Sequence, residues 1–210
     1  MTGYRYRFVG PEELRAGVRP ERRGRVVRGP GDLREPDLGE VFTYVVDLQG
    51  LLRLAPRRSE HVVCAGGEPV LAAGEIRFRA GGAESAGGAE SAGGAESAGG
   101  AESAGGRSGG DGRSGGDGRS GMGSRDGRAV AGVSNLSTGY CPDVTSWDAV
   151  AAALDGAGIG RPEEFTDPVV FRWCPSCRQV QVVREAYFVC VFCDGDLPEE
   201  WNADRAAESQ

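Results

Sequence analysis

Residues 83–106 repeat the hexapeptide AESAGG four times, and residues 107–118 repeat RSGGDG twice. Such small polar residues bury too little apolar area to offset the entropy of ordering them, so the stretch 80–128 is expected to be a disordered Gly/Ala/Ser-rich tether. Collagen needs Gly at every third position and a calcium-binding β-roll needs a nine-residue period with a large apolar residue in each turn; neither pattern is present. Setting the insert aside leaves about 160 of the 210 residues to fold, enough for a core without covalent staples. The flanks locate the insert. Gly74-Glu75-Ile76-Arg77-Phe78 before it and residues 128–135 after it both read as strands, which puts the repeats in the loop of one hairpin. Loop length adds little closure entropy, so deleting the repeats is expected to leave stability nearly unchanged.

The remaining chain alternates strand and helix patterns. Tyr4, Tyr6 and Phe8 alternate with Arg5 and Arg7, the period of a half-buried strand. A short helix is expected from the Pro11-Glu12-Glu13 start to about Val18. The apolar runs at 41–46 and 51–54 flank Asp47-Leu48-Gln49-Gly50 and read as a hairpin. Trp147, Val150, Ala151 and Leu154 recur at i, i+3, i+4 and i+7, which makes 146–156 a core-facing helix with Thr145 or Ser146 as its cap and Gly156 or Gly158 as its stop.

Charge divides the chain unevenly. Residues 1–79 hold 14 Arg and 11 acids, and residues 129–210 hold 5 Arg and 13 acids, within a formal net charge of -7. The run Arg19, Arg22, Arg23, Arg25 and Arg28 offers planar guanidinium donors to phosphates, but Glu21 and the acidic C-terminal third oppose a polyanion. Nucleic acid is therefore a disfavoured partner. No stretch of 18 apolar residues exists, and residues 1–9 lack a basic run followed by an apolar one, so neither a membrane span nor a secretory signal is expected and the location is read as cytoplasmic.

Cys174-Pro175-Ser176-Cys177 and Cys190-Val191-Phe192-Cys193 are two CxxC pairs separated by twelve residues that read as strand, turn, strand. Each pair turns two thiolates toward one point, and the hairpin between them brings the turns together around a tetrahedral ion. Iron in a rubredoxin-like site uses the same four ligands; a thioredoxin-like CPSC needs no second pair. The segment 171–196 resembles the zinc-ribbon family, two such knuckles joined by a hairpin. It carries Arg178 and Asp194 where a glycine commonly follows each second cysteine, with Gly195 one place on. The resemblance implies one structural zinc on Cys174, Cys177, Cys190 and Cys193. A closed four-thiolate site has no open coordination position and performs no chemistry, so the ribbon stabilises its surroundings or presents a surface to a protein partner.

His61 is the only histidine, three residues before Cys64. On a strand these two face opposite sides, which argues against a Cys-His dyad. An open metal site from His61, Cys64 and Cys141 with Glu60 or Asp143 near a bound water has the ligand count of a catalytic zinc, and burial of the two cysteines as small core residues is the alternative. Residues 61–75 and 134–142 also resemble an uncharacterised module of bacterial toxin-like or effector-like proteins and of plant calmodulin-binding IQ-motif proteins. His61, Pro69, Val70, Ala73, Gly74, Glu75, Ser137, Tyr140 and Pro142 match in place; Val62-Val63 stand for its two serines and Thr138-Gly139 for its Gly-His. If the two strands pair, His61, Glu75, Asn135, Ser137 and Tyr140 converge as a pocket, with His61, Glu75 and Tyr140 as candidate catalytic groups and Asn135 and Ser137 as binding groups. The structural alternative has Asn135 and Ser137 bonding backbone and Tyr140 packed with its hydroxyl satisfied.

Together these patterns specify an α+β fold: a mostly antiparallel sheet from strands near 3–9, 41–47, 51–55, 60–64, 74–79 and 129–135, with one or two helices and a small C-terminal zinc ribbon. The expected division is 1–79 plus 129–160 as the α+β domain, 80–128 as the insert, 168–198 as the ribbon and 199–210 as an acidic tail. The leading functional expectation is a zinc-binding intracellular adaptor that grips a protein partner through the ribbon. An enzyme using the His61, Glu75 and Tyr140 face comes second and a nucleic-acid binder third.

Overall fold

The computed structural model describes residues 4–81 and 127–209. The repeats at 83–118, expected to form a disordered tether, lie outside those residues. Seven strands and three α-helices are present among the described residues: α1 (Glu12–Ala16), β1 (Arg25–Val27), β2 (Val41–Val46), β3 (Leu52–Pro56), α2 (His61–Ala65), β4 (Ala72–Ala80), β5 (Arg128–Val133), α3 (Trp147–Gly156), β6 (Val170–Trp173) and β7 (Val180–Val183). The first five strands form one antiparallel sheet in the order β1-β3-β2-β4-β5, and β6-β7 form a second, two-stranded sheet. The α+β class expected from the sequence holds.

The β2-β3 hairpin forms because Asp47 organises its own turn. Its carboxylate accepts the N–H groups of Gln49 and Leu51, each at 3.0 Å, and Gly50 takes the positive φ of 76° that closes the loop. Arg53 then neutralises this nearly buried carboxylate at 2.7 Å. β4 and β5 pair on either side of the repeats, as the flanking patterns require, with a bulge between Arg77 and Phe78.

Alternation along these strands covers both faces of the sheet. Tyr44, Val46, Ile76 and Phe78 point into the larger core, where Val150 and Leu154 of α3 meet them. The helix ends at Gly158, whose φ of 65° lets Ile159 N–H reach back to the Leu154 carbonyl. On the other face Val45 and Ala73 pack beneath α2 and Tyr140.

Two expected strands differ. Residues 60–64 form the helix α2 rather than a strand: Gly66 and Gly67 adopt φ of 74° and 82° and send their N–H groups back to Val63 and Val62, a helix-terminating geometry that overrides the β-branched pair Val62-Val63. The expected strand at 3–9 reduces to a single bridge, Tyr6 with Val70, joined by Val9 N–H on the Gly139 carbonyl. β1, in the arginine-rich run, is an additional strand that pairs with β3 through only three residues.

The ribbon strands and the sheet share packing. Phe171 is buried with Cys141 and Ala203, and Val169, Val180, Val182 and Trp201 close around them. The acidic segment after residue 198 returns to the N-terminus: Trp201 stacks edge-on against Tyr4 and Tyr6 and donates its indole N–H to the Cys141 carbonyl at 2.9 Å.

Candidate metal centre

Each CxxC folds into the same hydrogen-bonded turn. Cys174 N–H donates to the Gln179 carbonyl and Arg178 N–H returns to Cys174; Cys190 N–H donates to Gly195 and Asp194 N–H returns to Cys190. Closing those turns requires a left-handed residue just after the second cysteine, and Arg178 and Asp194 supply it with φ of 61° and 55°. These are the two positions where the sequence lacks the glycine common in zinc ribbons, so the backbone conformation is kept and the side chains bear the strain.

The β6-β7 hairpin brings the turns face to face. All four sulfurs lie within 4.8 Å of one another, with Cys174 and Cys193 at 3.7 Å and Cys177 and Cys190 at 3.5 Å. Sulfurs at the corners of a tetrahedron with Zn–S near 2.3 Å stand about 3.8 Å apart, so the cluster has the dimensions of a four-thiolate metal site. None of the four is in a disulfide. Phe192 N–H points at the Cys190 sulfur at 3.4 Å, the kind of donor that disperses charge on a metal-bound thiolate. The donor set fits a metal ion such as zinc.

Arg172 joins the ribbon strand to the C-terminal segment. Its guanidinium donates to the carbonyls of Phe171, Pro198 and Glu199 and lies over the Phe188 ring.

Of the other candidate residues, His61, Glu75, Tyr140 and Asn135 each bond a different partner. His61 donates from Nε2 to the Gly74 carbonyl at 3.0 Å, and burial lowers its pKa, opposed by that bond and by Glu75 and Glu60. Glu75 sits on the sheet surface, 3.4 Å from Arg57. Tyr140 is buried and donates its hydroxyl to the Glu68 carbonyl at 2.7 Å. Asn135 is fully buried: its amide nitrogen donates to the carbonyls of Pro142 and Val169, both at 2.8 Å, and its oxygen accepts Val169 N–H at 2.7 Å. The Ser137 hydroxyl is buried without a hydrogen-bond partner. Burial pushes the thiols of Cys64 and Cys141 up to about 12, which keeps both protonated. Among the described residues the four ribbon cysteines are the one group placed to ligate a metal; His61, Cys64 and Cys141 are not assembled into a second.

No protein-family model, curated protein or solved structure matches the chain. The resemblance of residues 61–75 and 134–142 to the toxin and IQ-motif module therefore gains no support from relatives. No described helix is long and apolar enough to cross a membrane.

One feature of the site escaped the sequence reading. Val191 and Phe192, the two residues between the cysteines of the second knuckle, are 73% and 64% exposed, and Tyr187 in the preceding turn is 68% exposed. The signal was available in the CVFC tetrapeptide, because a residue pair inside a knuckle loop has its backbone at the metal and its side chains outside.

Proposed function

We propose that the chain is a zinc-binding intracellular adaptor whose second knuckle docks a protein partner. The observation that carries this reading is the exposed Val191-Phe192 pair on a turn that a metal ion would hold rigid. An aromatic anchor whose backbone is fixed before binding loses little entropy on docking, which is the character of an interface hot spot. The run 185–200 that contains the pair carries five acidic residues and no arginine. Its complement is a protein surface with an apolar pocket rimmed by Lys or Arg. That acidity also opposes a nucleic-acid partner, and zinc held by four thiolates suits a reducing cytoplasm. In this reading the ion is structural: it orders the two turns and takes no part in any reaction.

The test is a photo-crosslinking amino acid placed at position 192 of the full chain and expressed in the source cells. Crosslinks to a defined protein, mapped to a surface rich in Lys or Arg and lost in the Cys174→Ser/Cys177→Ser background, are expected. A pattern unchanged by loss of the thiolates, or crosslinks only within the chain itself, would overturn the docking reading.

A further inference from the structure

A cavity of about 260 Å³ lies where β2, β4 and β5 meet the segments 134–136 and 167–169. Three charged residues line it, Glu75, Arg77 and Asp167; Arg77 and Asp167 are of opposite sign and form no ion pair with each other. In the sheet register Arg77 faces Val41 on one side and Gly132 on the other, and the bulge that follows Arg77 redirects the strand at that point. A Cβ placed on Gly132 would stand 3.5 Å from Arg77 Nη2 and 3.8 Å from Thr166 Oγ1, and that hydroxyl donates to the Asp167 carboxylate at 2.8 Å. The guanidinium thus stands beside one bare glycine, and the carboxylate is linked to the same spot through the Thr166 hydroxyl. None of the ion pairs among the described residues includes either of them, whereas the neighbouring Glu75 is occupied by Arg57. Val41, Leu136 and Val169 supply apolar lining beside the charges.

A separated cation and anion flanking apolar surface is the complement of a small zwitterion. The volume, about 260 Å³, lies just below the roughly 300–1,000 Å³ of pockets that enclose drug-sized ligands and suits a small solute. We infer that this cavity binds a free α-amino acid with an apolar side chain, its carboxylate on Arg77, its ammonium on Asp167 and its side chain against Val41, Leu136 and Val169. A guanidinium offers a carboxylate two parallel donors, so the Arg77 end fixes orientation and the Asp167 end rejects simple carboxylic acids.

The test uses the full metal-loaded chain and three probes measured by calorimetry: L-leucine, isocaproate, which lacks the ammonium, and isoamylamine, which lacks the carboxylate. L-leucine is expected to bind, and each truncated probe to bind about tenfold more weakly or worse, the usual consequence of losing one charge-assisted contact. Arg77→Gln should bring L-leucine down to the affinity of isoamylamine, and Asp167→Asn down to that of isocaproate. Gly132→Val has room for its first carbon at ordinary contact distance and should abolish binding with the melting temperature nearly unchanged. The inference is overturned by no heat from L-leucine up to about 10 mM, a range in which a millimolar Kd registers. Equal affinity for all three probes, or an Arg77→Gln variant that binds L-leucine as the parent does, would overturn it equally.

Discussion

Replacing Asn135 should cost this protein a large share of its stability without touching any ligand. The side chain is fully buried and makes three bonds to backbone groups at 2.7 and 2.8 Å, joining the end of the sheet to Pro142 on one side and to Val169, one residue before β6, on the other. A hydrogen bond contributes about 1 kcal/mol net, and each buried partner left dry adds a desolvation penalty of about 1–3 kcal/mol. Asn135→Ala removes all three bonds and leaves two carbonyls and one N–H unpaired, so a loss of about 3–5 kcal/mol is expected, against a total of about 5–15 for a domain of this kind. Asn135→Asp keeps the volume and the bond from Val169 N–H but turns a carboxylate toward two carbonyls. It should be at least as damaging at neutral pH and recover partly on acidification, because protonation restores one donor in the native state and raises the native pKa above the unfolded value. Urea titrations at pH 7 and pH 5 with matched slopes measure both effects. A cost below about 1 kcal/mol for Asn135→Ala would refute the strut and return Asn135 to the candidate pocket.

Metal analysis of protein purified without added zinc should give one ion per chain, and Cys174→Ser/Cys177→Ser should give none; an ion surviving in the variant would reveal a second site outside the four cysteines. In the turn that leads to Tyr187, Glu185 and Ala186 hold φ of 52° and 54° while Tyr187 N–H closes on Arg184, the geometry that favours Asn-Gly. Glu185→Asn/Ala186→Gly should therefore raise stability by about 1–2 kcal/mol in thermal unfolding, and a lower melting temperature would contradict the assigned turn. Burial of His61 lowers its pKa from the ordinary 6.5, so the unfolded chain binds a proton first as pH falls. Its contribution to stability is whole above that ordinary value and is lost as pH drops toward the lower native pKa. The difference between parent and His61→Gln should shrink on acidification below pH 6.5, and a difference that grows would reverse the assignment.

Local chemistry was the legible part of this sequence. The β2-β3 hairpin, the β4-β5 pairing across the repeats, the α3 helix and both knuckles follow from patterns within a few residues: an Asp-x-x-Gly turn, alternation, an i, i+3, i+4 stripe and CxxC. What failed required knowledge of distant partners. Val62 and Val63 favour a strand by propensity, but Gly66-Gly67 terminate a helix and Cys64 fits the gap at Gly24, where a Cβ would stand 2.5 Å from its sulfur. The strap at 4–9 has strand alternation, yet its one strand-type bridge is Tyr6 with Val70, and Val9 N–H bonds the Gly139 carbonyl. Asn135, Ser137 and Tyr140 look like pocket residues in one dimension because polarity is visible there and partners are not. Arg77 and Asp167 lie ninety residues apart in the sequence and come to line one cavity only through the fold.

The metal centre and the sheet meet through β6, and the bonds at its two ends determine how far loss of the ion should spread. At the sheet end, Val169 gives both its N–H and its carbonyl to Asn135. At the knuckle end, Asn202 does the same for Trp173, accepting its N–H at 2.9 Å and donating to its carbonyl at 2.8 Å. Neither clamp uses a cysteine, and Phe171 between them is buried against Cys141 and Ala203 rather than against the thiolates. The turns beyond Trp173 have less support: the backbone bonds of Cys174 and Cys190 run to Gln179 and Arg178 and to Gly195 and Asp194 within the knuckles, and one side-chain bond, from Val191 N–H to Gln181 Oε1 at 3.0 Å, ties the second turn to β7. Removing the ion should therefore release the amides of Cys174, Arg178, Cys190 and Asp194 to fast exchange while those of Val169 and Trp173 stay protected. Hydrogen exchange on the Cys174→Ser/Cys177→Ser variant reads all six. If Val169 exchanges together with the knuckles, the ion stabilises β6 as well as the turns, and the strand's anchorage lies in the metal rather than in the two asparagines.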